Sequence, residues 1–466
     1  MTSRQRVPNA QLHALMREAE MSNKGLAARV RALSRADGGG EVSTTHTLVG
    51  KWLNGEVRRP SDRNLHLTAK VLSQALGRAA AVRELGYDDV QPEAADSTLE
   101  YPASVADSVA ALTQLTGHHQ RATKLLVVPE AWSDLLVKTM FGDPAPSPVP
   151  KDPASLSPAH AQQVRDATEM FATFDHRYGG GQSRPLAAKY LETSVLPLIQ
   201  HVAPDSVVGR EYFQAVASLT LRAGWTAYDV GAHAEAQRYL YHAHLLAQAA
   251  EDRAFSAHAL ACMSHQANYL GYVDHAMHLA RGAVTVASSH ATPTAMALFH
   301  SMEARALASQ GNESGVTTAL VSAESWLERR RPDDDPDWIW FFDRAELEAE
   351  FAHCFRDLGH ADLAKHHASA AIAHHGDEFV RSTSFCRSVL AASHILANEP
   401  DEALTIANDV VDIATQLQSS RVLSYLTDIR NRLSGFDTRG AAEFNDKLTE
   451  VLRLERSPVT GNIIVP

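Results

Sequence analysis

Cysteine is scarce in this chain. Cys262, Cys354 and Cys386 are the whole complement in 466 residues, an odd, scattered set inside helical patterns that argues against a disulfide framework and for buried thiols in a reducing compartment. Long apolar runs are missing too. None approaches the roughly 18 residues needed to cross a bilayer, and the N-terminus is polar where a secretory leader is greasy, so a cytoplasmic protein with no membrane partner is expected. Catalytic signatures are equally absent. There is no HExxH, GxSxG, phosphate loop or paired-cysteine metal framework, so neither an enzyme nor a cofactor is expected. His258, Cys262 and His265 fall near one helical face, but a metal site there lacks a clear fourth ligand. Cations are outnumbered, 43 Lys and Arg against 55 Asp and Glu, for a net charge of −12. What the chain does have is length for more than one domain and an apolar fraction of 45%, ample for folded cores.

The charge is not evenly spread. Residues 1–80 hold thirteen Lys or Arg and six Asp or Glu, a net +7, which leaves −19 on the remainder. A basic head on an acidic body points to a nucleic-acid-binding arm. Within that head, Thr45 can cap a helix and Gly55 can end one in the left-handed conformation. Between them Leu48, Val49, Trp52 and Leu53 make one apolar stripe, while His46, Thr47, Gly50 and Lys51 face away. Two readings fit this helix alone: a major-groove helix with Arg58 and Arg59 on phosphates, or an amphipathic helix with an ordinary solvated face. Around it, Leu12, Leu15, Met16 and Ala19 repeat at helical spacing, Ser22 can cap the helix that begins Asn23-Lys24-Gly25, and Pro60-Ser61-Asp62 opens a fourth helix with Leu65, Ala69, Leu72 and Leu76 inward.

Ser22 to Ala28, a turn, then Val49-Gly50-Lys51-Trp52-Leu53-Asn54-Gly55 with Pro60 and Leu72 resembles the helix-turn-helix of Cro/C1-type (XRE) repressors over about seventy residues. The resemblance implies a second helix in the major groove, with Thr45, His46, Thr47 and Lys51 at or near bases and Lys24, Arg58 and Arg59 supporting DNA contact. One departure is the stretch Arg35 to Val42, with Gly38-Gly39-Gly40, which is longer than the usual turn of three or four residues. That length puts the base-reading register in doubt.

Beyond the head, residues 1–83, a linker and helical connector spans 84–157. It contains a polar run from Leu85 to Pro102, a helix through Val105, Val109, Leu112 and Leu115, a strand plus helix or buried segment from Leu125 to Leu136, and the proline-rich spacer Asp143 to Pro153. Residues 158–456 are helical and periodic, and 457–466 form a tail. A turn residue is followed five positions later by a small one at Gly231/Ala236, Gly271/Ala276, Gly311/Val316, Gly359/Ala364, Asn398/Ala403 and Gly435/Gly440. Seven residues further on lie Ala243, Ala283, Ala323, Ala371 and Val410, and twelve before the second members lie Gly224, Ser264, Ala304, Ala352 and Ala391. Antiparallel helices joined by a tight turn approach closely only where both carry small side chains, so this spacing predicts an all-α solenoid of helix pairs. Gly271-Tyr272-Val273-Asp274-His275-Ala276 and Gly359 to Ala364 resemble tetratricopeptide (TPR) repeats, although the unit is longer than the usual 34 residues. The glycine run Gly179-Gly180-Gly181 fits a helix terminator better than a phosphate cradle, since Lys and Ser/Thr are not placed as a phosphate loop requires.

The longest interval between repeats contains Trp338, Trp340, Phe341 and Asp343, and its aromatics cannot all face one helix stripe. Two readings fit these four residues: an effector or dimer surface, or packing into the core. The 21 histidines outside the head read as dispersed surface imidazoles. Head and body together resemble large actinobacterial regulators of development and antibiotic production. That resemblance implies a sequence-specific, homodimeric transcriptional regulator of repressor type that binds double-stranded DNA and senses a peptide, protein or small-molecule effector. The alternative is a TPR-like interaction scaffold whose head does not read DNA.

Overall fold

The computed structural model describes residues 8–19, 21–36, 44–57, 60, 62–76, 78, 82–87, 98–117, 125–142, 156–199, 201–376, 378–436 and 440–455. Every regular element among them is helical, and the chain divides into two compact units, residues 1–95 with 122–124, and 96–121 with 125–466. Arg58 and Arg59, the triple glycine, the proline-rich spacer and the tail lie outside the described residues.

The first unit holds α1 (Ala10–Glu18), α2 (Asn23–Ala36), α3 (His46–Leu53), α4 (Asp62–Leu76) and a 3-10 turn at Val82–Leu85. Its core gathers Leu12, Leu15, Met16, Leu26, Val30, Val49, Trp52, Leu53, Leu65 and Leu72, the apolar positions at helical spacing. Asn9 fastens three segments at once. Its side chain caps α1 through Leu12 N (2.9 Å) and donates to Leu85 O (2.7 Å), while its backbone N–H donates to Leu53 O (2.8 Å).

The second unit begins with α5 (Val105–Thr116), α6 (Pro129–Phe141), α7 (Pro158–Tyr178), α8 (Gly180–Tyr190) and a wider-wound stretch, Leu191–Val195, that runs into α9 (Leu196–Ile199). The two helices of the connector pack into this unit, where Leu112, Trp132 and Leu135 are buried with the body's core. The segment from Leu125 is extended only as far as Val128, whose N–H and C=O both bond the Gln237 side-chain amide at 2.8 Å, and it is helix from Pro129 on.

Six antiparallel pairs follow: α10 (Val207–Asp229) with α11 (His233–Ala249), α12 (Arg253–Tyr269) with α13 (Val273–Ala287), α14 (Pro293–Ser309) with α15 (Glu313–Leu327), α16 (Arg344–Asp357) with α17 (Ala361–His374), α18 (Val380–Leu396) with α19 (Pro400–Ala414), and α20 (Ser420–Leu433) with α21 (Ala441–Glu455). They stack as a solenoid-like series, each pair packed on the next. Five of the six predicted turn residues, Gly231, Gly271, Gly311, Gly359 and Asn398, have φ between +62° and +83°. At each the next N–H reaches the carbonyl five residues back, as in Tyr272 N to Ala267 O (2.9 Å) and His360 N to Phe355 O (2.9 Å). That is the Schellman ending, which satisfies the last carbonyls of the first helix while turning the chain into the second. In the second pair the small residues meet: Ser264 Oγ donates to Ala276 O at 2.7 Å, joining two positions that the periodicity pairs.

Gly179 has φ +84° and separates α7 from α8, so the glycine run does terminate a helix. It does something further. Gln418 N donates to Tyr178 O and Gly181 N to Gln418 O, both at 3.0 Å, so the start of the series is hydrogen-bonded to the segment before its last pair. A Cβ at Gly179 would lie 2.7 Å from Gln418 O, and one at Gly180 would lie 2.6 Å from Thr226 O. No larger residue fits there without moving backbone. Ser419 Oγ donates to Asp229 Oδ1 (2.9 Å) and Ser420 Oγ to Val230 O (3.0 Å), which ties α20 to the end of α10.

Candidate functional sites

In the first unit the candidate interface is one face of α3. Thr45 caps it, accepting from Leu48 N at 3.2 Å, and Gly55 at φ +67° closes it with Glu56 N on Lys51 O (2.9 Å). Val49, Trp52 and Leu53 are buried against the core. Thr45, His46, Thr47 and Lys51 are all exposed, as is Lys24 near the start of α2. Thr44 is fully buried just before the helix; its hydroxyl donates to Asn64 Oδ1 (2.8 Å), and its carbonyl accepts from Arg31. The start of α3 is therefore held to both α2 and α4 whatever the length of the connection between α2 and α3. The exposed face carries hydroxyl, imidazole and ammonium groups.

In the second unit a cavity of about 130 Å³ lies among the first helices of the pairs. Its charged wall consists of Arg222 on α10, Arg305 on α14, Glu346 and Glu350 on α16, Arg381 on α18 and Arg421 on α20. Arg305 Nη1 donates to Glu350 Oε2 at 2.8 Å. Arg222 (3.4 Å) and Arg381 both pair with Asp175 of α7, which is wholly buried, and Arg381 and Arg421 each lie 3.8 Å from a carboxylate oxygen of Asp229. Burial raises Asp175, but the guanidiniums of Arg381 and Arg222 outweigh it and hold the carboxyl below its usual range. Burial beside Glu350 pushes Glu346 up to about 8, so it holds its proton at neutral pH.

Histidines complete the wall and correct an expectation. Those of the body are not generally surface imidazoles: His242, His244, His258 and His353 are buried. His176, His258, His265 and His353 line the cavity. Burial, reinforced by nearby arginines, pulls His176 and His258 down to about 3 and His265 and His353 well below their ordinary value, so they are neutral. His265 bonds the Tyr228 hydroxyl at 2.9 Å. His258, Cys262 and His265 do reach the same cavity, but among the described residues no three His, Cys, Asp or Glu side chains are placed to share a metal ion. All three cysteines are buried, and burial raises each thiol, Cys262 to about 12.

The four residues expected at an effector or dimer surface separate. Phe341 lines the cavity. Trp340 is 48% exposed, beside Phe379 and His176. Trp338 stacks on the His258 ring with centroids 4.6 Å apart. Asp343 caps α16, accepting from Ala345 N (2.8 Å) and Glu346 N (3.2 Å). The arginine wall escapes a reading of the sequence, although its register is there. The residue after each small position, namely Trp225, His265, Arg305 and His353, faces the cavity in four successive pairs.

Residues 12–88, which lie within the first unit, are similar to the SP15 N-terminal domain family. No curated protein matches the chain. No helix among the described residues is long and apolar enough to cross a membrane.

Proposed function

We propose that this chain is a sequence-specific DNA-binding regulator of transcription, working in the cytoplasm as a homodimer, whose XRE-like head reads DNA and whose TPR-like repeat unit responds to an effector. The observation that carries the reading is the exposed polar face of α3, His46, Thr47 and Lys51, on a helix capped at both ends and anchored by Trp52 in the unit that bears the excess of positive charge. In a helix-turn-helix of this type the second helix of the pair enters the major groove, and dimers read half-sites about 34 Å apart. Thr47 and Lys51 then face base edges, and Lys24 a phosphate. An effector changes operator affinity by no more than its preference between two states of the dimer. Repression of development or secondary metabolism is the role the family resemblance suggests.

The test is site selection followed by salt titration. Fragments enriched by the full chain from random duplexes should share a two-fold-related sequence, and affinity should fall about a thousandfold between roughly 50 and 200 mM salt if several phosphates are engaged. K51A and T47A should weaken the selected site by about tenfold or more while leaving random duplex binding nearly unchanged, as a lost base contact is worth about 1–3 kcal/mol. K24A should weaken both alike. If no sequence is enriched, the rival reading wins, in which the chain is an interaction scaffold. That reading draws on Val137, Met140 and Phe141, three exposed apolar side chains at the end of α6.

A further inference from the structure

The cavity wall carries more positive charge than its own carboxylates balance. Arg222, Arg305, Arg381 and Arg421 face Asp175, Asp229 and Glu350, while Glu346 is protonated at neutral pH. One guanidinium is in excess even with Asp229 ionised. The excess settles on Arg421. This residue is 5% exposed, its nearest carboxylate oxygen is Asp229 Oδ1 at 3.8 Å, and its Nε is buried with no hydrogen-bond partner. Its guanidinium lies 4.5 Å from the ring centroids of both Tyr228 and Phe385. Aromatic faces hold a cation in place but do not satisfy its N–H groups, which are built for the two oxygens of a planar anion. Burying such a group without an acceptor is costly, and a bound anion removes the cost. Nε of Arg222 and Nε of Arg305 are likewise buried without partners.

Size and lining narrow the class. At about 130 Å³ the cavity is close to an engineered apolar cavity of roughly 150 Å³ that holds benzene. That is room for one ring or a short chain, not for a peptide segment. Leu221, Leu298, Met302 and Phe341 supply the apolar part of the wall. A wider recess of about 620 Å³ shares His265 and Arg305 with the cavity.

We propose that this cavity binds a small organic monocarboxylic acid, with one aromatic ring or a short aliphatic chain, whose carboxylate is received by Arg421 and whose body packs on Leu298 and Met302. The inference rests on the sensing half of the function proposed above and names its ligand class; it owes nothing to the DNA-binding half. Ligand sites in proteins usually have this composition, mostly apolar with a few placed polar groups.

The experiment is calorimetric titration of the full-length chain with benzoate, phenylacetate and hexanoate, each beside its neutral amide. At least one acid should bind saturably, at least tenfold more tightly than its amide, and should raise the melting temperature. R421Q should weaken that acid tenfold or more. Because loss of a buried arginine can itself unfold a helix pair, A349M is the companion variant: it fills the cavity from α16, keeps every charge, and should abolish acid binding with helix content unchanged. Saturable binding by none of the acids, equal affinity for acid and amide, or acid binding undiminished in A349M would each overturn the inference. DNA site selection on the same preparation keeps the two readings apart. Acid binding without a preferred DNA sequence would sink the regulator and leave this site standing, and the reverse result would do the opposite.

Discussion

Glu346 shows how much one partly buried side chain contributes to the behaviour of the repeat unit. Its carboxyl lies in a wall that already holds Glu350, and burial together with that neighbour lifts its pKa from 4.5 to about 8. An unfolded chain releases this proton near pH 4.5, the folded chain near 8. Stability that is fully present below the lower value is therefore lost as pH rises through the upper one. E346Q removes the titration while keeping a hydrogen-bonding side chain of the same shape. Since each tenfold change in proton affinity corresponds to about 1.4 kcal/mol, the variant should gain up to a few kcal/mol over the parent at pH 8 and little at pH 5. Urea unfolding midpoints at pH 5, 6.5 and 8 measure this; a gap that does not widen with pH would show that Glu346 is ionised in the folded chain. The sequence offers no sign of this residue. On a helix read alone, a glutamate every few positions is an ordinary solvated face. Thr45, Ser22 and Trp52 are legible because capping and a lone large aromatic carry their meaning within a few residues, and the structure uses each as expected: Ser22 Oγ accepts from Gly25 N at 3.1 Å, and Trp52 is 2% exposed.

At the scale of elements, what can be read is whatever repeats. The close approach within each pair needs small residues at fixed offsets and a left-handed turn residue between them, and both demands act locally, so the spacing appears in the sequence. Closure of the series does not repeat. It depends on Gly179 and Gly181 meeting Gln418, residues more than two hundred positions apart, and a glycine run looks the same whether it ends a helix or admits another backbone. The concave arginines become an interior only because of that closure, which is why the sequence hides the cavity. Two substitutions separate the roles of glycine. At Gly271, with φ +83° and open space around its missing Cβ, alanine meets only backbone strain, so G271A should cost about 1 kcal/mol. At Gly180 the added methyl would lie 2.6 Å from Thr226 O and 3.0 Å from Asp229 Cβ, so the start of α8 and the end of α10 must part, beside the backbone bonds to Gln418. G180A should therefore cost about 2–3 kcal/mol or more, in the range of overpacking. Hydrogen exchange at Gly181 and Gln418 should quicken in G180A and stay unchanged in G271A. Equal effects on both would mean that the glycine run only ends α7.

The whole chain is expected to be sensitive to mild acid, for a reason spread over many helices. Burial holds His242 near 3 and His244 near 4, as it holds His176 and His258 near 3, and His265 and His353 lie lower than ordinary imidazoles too. In each case the folded chain refuses a proton that the unfolded chain accepts near 6.5. Stability is thus complete above that value and is lost as pH falls toward the folded pKa. The four held near 3 or 4, His176, His242, His244 and His258, together cost roughly 6 kcal/mol for each pH unit below about 6, at about 1.4 kcal/mol per group, and His265 and His353 act in the same sense. A domain's whole stability is about 5–15 kcal/mol. Glu346 acts in the opposite sense, but it is one group and its effect is already exhausted near pH 5. The helical signal of the repeat unit should therefore collapse cooperatively between about pH 6 and 5, with several protons taken up per molecule, as the slope of stability against pH will show. H242Q, whose amide can still meet the Ser108 hydroxyl that now lies 2.8 Å from His242 Nδ1, should reduce that slope by one proton and move the midpoint downward. Retention of full helicity at pH 4.5 would mean that these imidazoles reach water in the folded state.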